Sequence, residues 1–209
     1  MTPRTALLSI HLGALMFGLS GIFGKLAGSA PLMITFGRGA FAVAILLLVA
    51  LLLPRSGERP DWRRCLGLAA GGLLLGAHWL TFFIAVKVAG VGIATLGFAS
   101  FPAFTVLLEG VLFRERTRPA EYAMVGLVCI GLLLVTPSFE LASTATNGLL
   151  YGVLSGLLFA LVSLLNRAVT RGIDPVQSAL WQNLTIALVL LPFAGPAATS
   201  VPPRDWLWI

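Results

Sequence analysis

Apolar residues in this chain run in long blocks and do not alternate with polar ones. A membrane-crossing helix needs ~20 mostly apolar residues. Seven blocks meet that length or come close: 5–26, 31–53, 65–87, 90–113, 119–137, 147–167 and 175–195. The pattern predicts an all-α polytopic membrane helical bundle. The closing residues, Arg204-Asp205-Trp206-Leu207-Trp208-Ile209, read as the first turn of an eighth helix. The first and second blocks, and the third and fourth, are joined by only a few residues, so these neighbours pack antiparallel. Lys87-Val88-Ala89-Gly90 is the predicted tight turn between the third and fourth. Pro102 falls in the middle of the fourth. In water a mid-helix proline costs about 3 kcal/mol, because it removes a hydrogen bond and clashes one turn back. In a membrane bundle neighbouring helices meet that cost, and the loosened backbone often lines a cavity.

Composition agrees. The chain is 58% hydrophobic and 11% charged, against about 25% charged in soluble domains, with mean hydropathy +0.97. A soluble domain is excluded. The net charge of +6 would suit nucleic acid, but the arginines lie between apolar blocks, where they set membrane orientation; no nucleic-acid partner is expected. With a cytoplasmic N-terminus, the cytoplasmic segments carry Arg4, Arg55, Arg59, Arg63, Arg64, Arg114, Arg116, Arg118, Arg167 and Arg171. The other side carries Lys25, Lys87 and Arg204. The first block is too long for a typical signal peptide and is read as an uncleaved helix. Cys65 and Cys129 have neither metal-ligand nor disulfide-framework spacing. An HExxH, paired aspartates and a phosphate-cradling glycine loop with lysine are all missing from the sequence, so neither enzymatic activity, a metal nor a cofactor is expected.

Small residues recur four apart at Gly67 and Gly71, Gly72 and Gly76, and Gly148, Gly152 and Gly156. Such stripes let helix backbones approach closely. Internal packing is their expected use, with a homodimer interface as the alternative. An internal repeat is also visible. Phe17-Gly-Leu-Ser-Gly-Ile-Phe-Gly-Lys25 matches Phe159-Ala-Leu-Val-Ser-Leu-Leu-Asn-Arg167; Pro31 answers Pro175 and Arg38 answers Gln182. The sixth span therefore restarts the first. Five spans is an odd number, so the second copy enters the membrane inverted. Inverted repeats mark many secondary transporters, with a site near the midplane between the halves.

Pro102, the Phe113-Arg114-Glu115-Arg116 end, Pro119, Gly126 with Gly131, and Pro31 through Arg38 together resemble the EamA-type branch of the drug/metabolite transporter superfamily. The resemblance implies a ten-helix protein of two inverted five-helix repeats. Residues 1–137 would be the first repeat and residues 147–209 an incomplete second. It also implies a multi-pass protein of the inner or plasma membrane, and a carrier, often an exporter, of amino acids, other metabolites or drugs. Its partners would be a small-molecule substrate and the lipid bilayer. The alternative is a non-transporting bundle, a remnant or an assembly partner.

Ionisable groups at membrane depth cost at least ~2.5 kcal/mol and point to function. At ~1.5 Å per residue, Arg38 lies roughly 10 Å in from the outer end of its span. Glu109 and His11 lie roughly 6 and 9 Å in from the inner ends of theirs, and His78 is near a span centre. Glu109, with His11, is the expected proton-coupling site, because low dielectric favours a carboxyl that can cycle. The competing use of Glu109 is a pair with Arg114 or Arg116. Arg38 offers a planar fork for two oxygens of an anionic substrate; its other reading is a structural bond to helix-end carbonyls. His78, Trp79, Phe82 and Phe83 form an aromatic wall suited to an apolar pocket or simply to packing. Gln182 and Asn183, with Asn166, face the cavity or bond across helices. The expected substrate-binding set is thus Arg38, His78, Trp79, Phe82, Gln182 and Asn183. Pro119 and Glu121 suit a helix start.

Overall fold

A computed structural model describes residues 3–52, 57–114, 118–135, 140 and 143–209. Among these the chain is helical throughout: α1 (Pro3–Leu26), α2 (Pro31–Leu52), α3 (Trp62–Phe98), α4 (Phe101–Leu112), α5 (Pro119–Val135), α6 (Thr144–Val169) and α7 (Pro175–Ala198), then a 3₁₀ turn, η1 (Asp205–Leu207). The expected all-α membrane bundle is the observed one. Five of the helices are long and apolar enough to cross a bilayer: α1, α2, α3, α6 and α7.

The third and fourth apolar blocks are divided differently from their sequence limits. α3 takes in all of the third and the opening of the fourth, folding back at Gly90, whose φ of 84° and ψ of 167° are not helical. A side chain there would be strained, so glycine is required at this turn. The fourth block then breaks once more at Ala99 and Ser100, and Pro102 stands in the first turn of α4. The proline is not in the middle of a continuous helix, as its position in the block suggested. At a helix start its missing N–H is one that has no intrahelical acceptor anyway. The buried Ser100 donates from Oγ to the Gly97 carbonyl at 2.7 Å, and its backbone N–H donates to the same oxygen at 3.1 Å. The break is therefore satisfied internally, as lipid demands. α5 starts as expected: Pro119 opens it, and Glu121 Oε2 accepts from the Arg118 N–H at 2.6 Å. Glu115 and Arg116 lie outside the described residues.

The centre of the bundle is the seam between α3 and α6. Gly67 lies against Val169, Gly71 against Asn166 and Gln182, and Gly148 against Ala89, so α6 runs antiparallel to the first half of α3. Gly152 meets Ala94 and Gly97, and Gly156 meets Ser100, so it runs parallel to the second half. At Gly97 a Cβ would stand 2.7 Å from the Leu149 carbonyl oxygen and 2.9 Å from Gly152 Cα, so backbone meets backbone. α7 lies along α3 through Gln182 at Gly71 and Gly72 and Ile186 at Gly76, and it reaches α2 where Ile186 fills the space beside Gly39. The glycine stripes are thus used for internal packing. The apolar core holds Ile34, Phe82, Phe83, Ala85, Val86 and Phe98. α1 and α5 turn Leu8, Ile10, Leu127 and Leu134 outward, the surface a bilayer would cover.

Two corners close the bundle, at opposite faces. At the near face, where α1 begins, the Glu58 N–H donates to the Gly172 carbonyl at 2.9 Å. Arg64 Nη1 donates to Glu58 Oε2 at 3.1 Å and to the Arg171 carbonyl at 3.3 Å. At the far face Ser29 Oγ donates to Asp205 Oδ2 at 2.6 Å, and Lys87 Nζ donates to the Ala27 carbonyl. The Ser29 hydroxyl, with the amides of Gly28 and Ser29, holds the Asp205 carboxyl below the usual carboxylate range.

Candidate functional site

His78 sits on the inward face of α3, opposite α6, and is almost fully buried. Its Nδ1 lies 3.0 Å from the Ser155 carbonyl oxygen and 2.8 Å from Ser155 Oγ. A carbonyl oxygen only accepts, so Nδ1 carries the proton, and Nε2 is left with its lone pair. Ser155 Oγ donates back to the His78 carbonyl at 3.2 Å. Around the imidazole stand Phe159, Phe98 and Phe82, with centroids 5.0, 5.2 and 6.4 Å away. Phe98 stacks on Phe101 at 5.1 Å, which extends the aromatic wall to the start of α4. The break ahead of Pro102 and the aromatic cluster are therefore one structure.

Arg38 projects from α2 toward α3. Its guanidinium carbon lies 5.3 Å from the Trp79 ring centre and 5.6 Å from that of Phe83. The ring faces attract the cation and shield it from lipid. Arg38 Nε is buried and has no hydrogen-bond partner; the same holds for Asn183 Oδ1 on α7 and Trp208 Nε1 just past η1. Asn183 Nδ2 donates to the Ala179 carbonyl at 2.8 Å. Gln182 is engaged otherwise: its Nε2 donates to Asn166 Oδ1 at 2.5 Å, tying α7 to α6. Of the expected substrate-contacting residues, α3 holds His78, Trp79 and Phe82, and Arg38 reaches the same wall through Trp79. Gln182 bonds Asn166 across the α6–α7 joint.

Glu109 pairs with Arg167 of α6, Nη1 to Oε1 at 3.0 Å, and the same guanidinium lies 4.9 Å from the Phe113 ring centre. Its partner is thus neither Arg114, the described one of the two expected arginines, nor His11. The His11 ring is exposed, its Nδ1 bonded to the Leu7 carbonyl of its own helix at 2.8 Å. Sequence reasoning missed Ser155, Arg167 as a partner, and Asp205. For Asp205 a signal existed: Asp205-Trp206 follows Asp61-Trp62 at the same separation as Pro175 follows Pro31 and Gln182 follows Arg38.

Comparison with known proteins adds the following. Residues 4–136 match the EamA-like transporter family. An uncharacterised transporter of Archaeoglobus fulgidus is 30% identical over 201 residues, which are 96% of this chain and 69% of that protein. One of Pseudomonas aeruginosa is 27% identical over 193 residues, 88% of this chain and 62% of the relative. One of Bacillus subtilis is 22% identical, covering 98% and 67%. A solved crystal structure shares the fold with a TM-score of 0.57 at 22% identity, over 92% of this chain and 70% of that one. The chain spans 62% to 69% of the length of these curated relatives.

Proposed function

This chain belongs to the EamA-like transporter family, and on that premise we propose a secondary carrier that exports small metabolites, amino acids or drugs by alternating access. The observation that carries this reading is Arg38, a cation within a membrane-length helix whose Nε is buried without a partner beside an aromatic wall. A buried cation with a donor left unmade is costly to keep for structure alone. A polar anchor beside aromatic rings is how small-molecule sites fix orientation. The proposed binding set is Arg38, His78, Trp79, Phe82, Gln182 and Asn183.

The two corners support an inverted-repeat organisation. The segment before α3 ties to the α6–α7 corner at the near face, and the first residue of η1 ties to the α1–α2 corner at the far face. A joint of the same kind recurs upside down, which supports residues 1–137 and 147–209 as two copies of one unit. The arginine bias supports a cytoplasmic near face and an inner-membrane location. In the proposed cycle Glu109 exchanges its bond to Arg167 for a proton as that face opens.

The test is reconstitution of the full chain in liposomes, with efflux followed for amino acids, nucleosides and cationic drugs under an imposed pH gradient. Solute movement that Glu109→Gln uncouples from the gradient is the expected result. Glu109→Gln with full gradient-driven transport removes the coupling role. Absence of movement for every solute class removes the carrier.

A further inference from the structure

The unpartnered donors of Arg38 and Trp208 belong to one neighbourhood. Trp208 packs on the core cluster that contains Phe83, and the Arg38 guanidinium lies against the same Phe83 ring. Their chain neighbours touch: Ile209 presses so closely on Gly37 that a Cβ there would overlap it. Trp206 adds an edge contact to Phe41, with centroids 5.8 Å apart, which seats the whole η1 segment on α2. Two N–H groups are thus buried without an acceptor on elements that touch through Gly37 and Ile209, and the Trp208 ring also lies 5.9 Å from Phe23 of α1. A buried donor left unmade costs about 1–3 kcal/mol. Both are donors, so the missing partner is an acceptor, and beside a guanidinium it carries negative charge. The walls around it are rings: Trp79, Phe83 and the Trp208 indole itself.

We propose that Arg38 and Trp208 form an anion subsite that takes the carboxylate of a small monocarboxylate with an apolar body. This rests on the carrier reading and names the substrate class of its site. The Arg38 fork holds the charge, Trp208 Nε1–H directs the second oxygen, and the aromatic wall covers the rest of the solute.

The probes are phenylacetate, phenylacetamide and phenylethylamine, which share a ring and differ in charge. Thermal unfolding of the detergent-purified full chain is followed with each at millimolar concentration. Phenylacetate raises the melting temperature and the other two do not. Trp208→Phe keeps an aromatic ring and loses the N–H with the rest of the fused five-membered ring. Its unliganded melting temperature falls slightly through lost packing, while the apparent affinity for phenylacetate falls about tenfold, the scale of one lost hydrogen bond to a charged group. Arg38→Lys, which keeps the charge and loses the fork, weakens binding at least as much. Equal stabilisation by the amine or amide, a null effect of phenylacetate, or unchanged binding in Trp208→Phe overturns the subsite. The liposome assay separates the two claims. Efflux of amines by a chain that ignores phenylacetate leaves the carrier and removes the subsite. Arg38- and Trp208-dependent binding with no efflux of any solute leaves the subsite and removes the carrier.

Discussion

The seam between α3 and α6 and the wedge between α2, α3 and η1 handle buried polarity in opposite ways. Along the seam it is matched. His78 and Ser155 exchange bonds, Ser100 returns to Gly97, and glycines bring backbones together with no side chain between them. In the wedge Arg38 Nε and Trp208 Nε1 are buried unmatched. A matched region spends most of its polar groups on the fold, so its first role is to hold the aromatic wall in place. An unmatched one waits for a partner from outside. Stability and function should therefore separate between the two regions when each is mutated.

The largest effect falls on the seam. Gly97→Val forces a side chain into the Leu149 carbonyl and Gly152, and because both obstacles are backbone the cost is about 3 kcal/mol or more. Size-exclusion profiles of the detergent-solubilised variant should show mostly aggregated protein; a normal profile with a native melting temperature would break the comparison. Ser155→Ala comes next. It deletes the hydroxyl that bonds the His78 carbonyl and costs about 1–2 kcal/mol, read as a lower melting temperature.

At the far corner the effect is one of pH. The Asp205 carboxyl is held below its ordinary range by Ser29 and the neighbouring amides. A depressed carboxyl stabilises fully above its unfolded value and loses that contribution as pH falls through the folded one. Melting temperature should therefore drop at the acid end in the native chain and drop less in Asp205→Asn. An identical acid limb in both would discard the role of this contact. Glu109→Gln breaks a half-exposed ion pair and should cost only about 0.2–1 kcal/mol, whatever it does to coupling. The smallest stability effect belongs to the wedge. Arg38→Met removes a charge that has no hydrogen-bonded partner at Nε, so stability should hold within about 1 kcal/mol or rise. Transport should vanish in the same variant.

Much of this architecture was legible because lipid leaves so few options. Apolar block length sets helix length, and the glycine stripes named the faces that meet. The break at Ala99–Ser100 was half legible: Pro102 announced an interruption, but placing it at a helix start needed Ser100 to bond Gly97, a local competition that block length does not record. The partner of Glu109 was not legible, since Arg167 lies far along the chain and depth along a helix says nothing of which helix stands alongside. Depth alone paired Glu109 with His11, and helix rotation turned that imidazole outward. Trp208 was hidden for the same reason: its place against the core and Phe23 follows from how Trp206 and Ile209 seat η1 on Gly37 and Phe41.

The Glu58–Gly172 and Ser29–Asp205 fastenings lie at opposite ends of the molecule and share no residue. In the carrier proposed above, prising apart the near-face one would leave the other clasped, and the reverse would hold too. Under that proposal each clasp is the fulcrum for the other's opening, and two short loop contacts would suffice for a rocker that never hangs open at both ends.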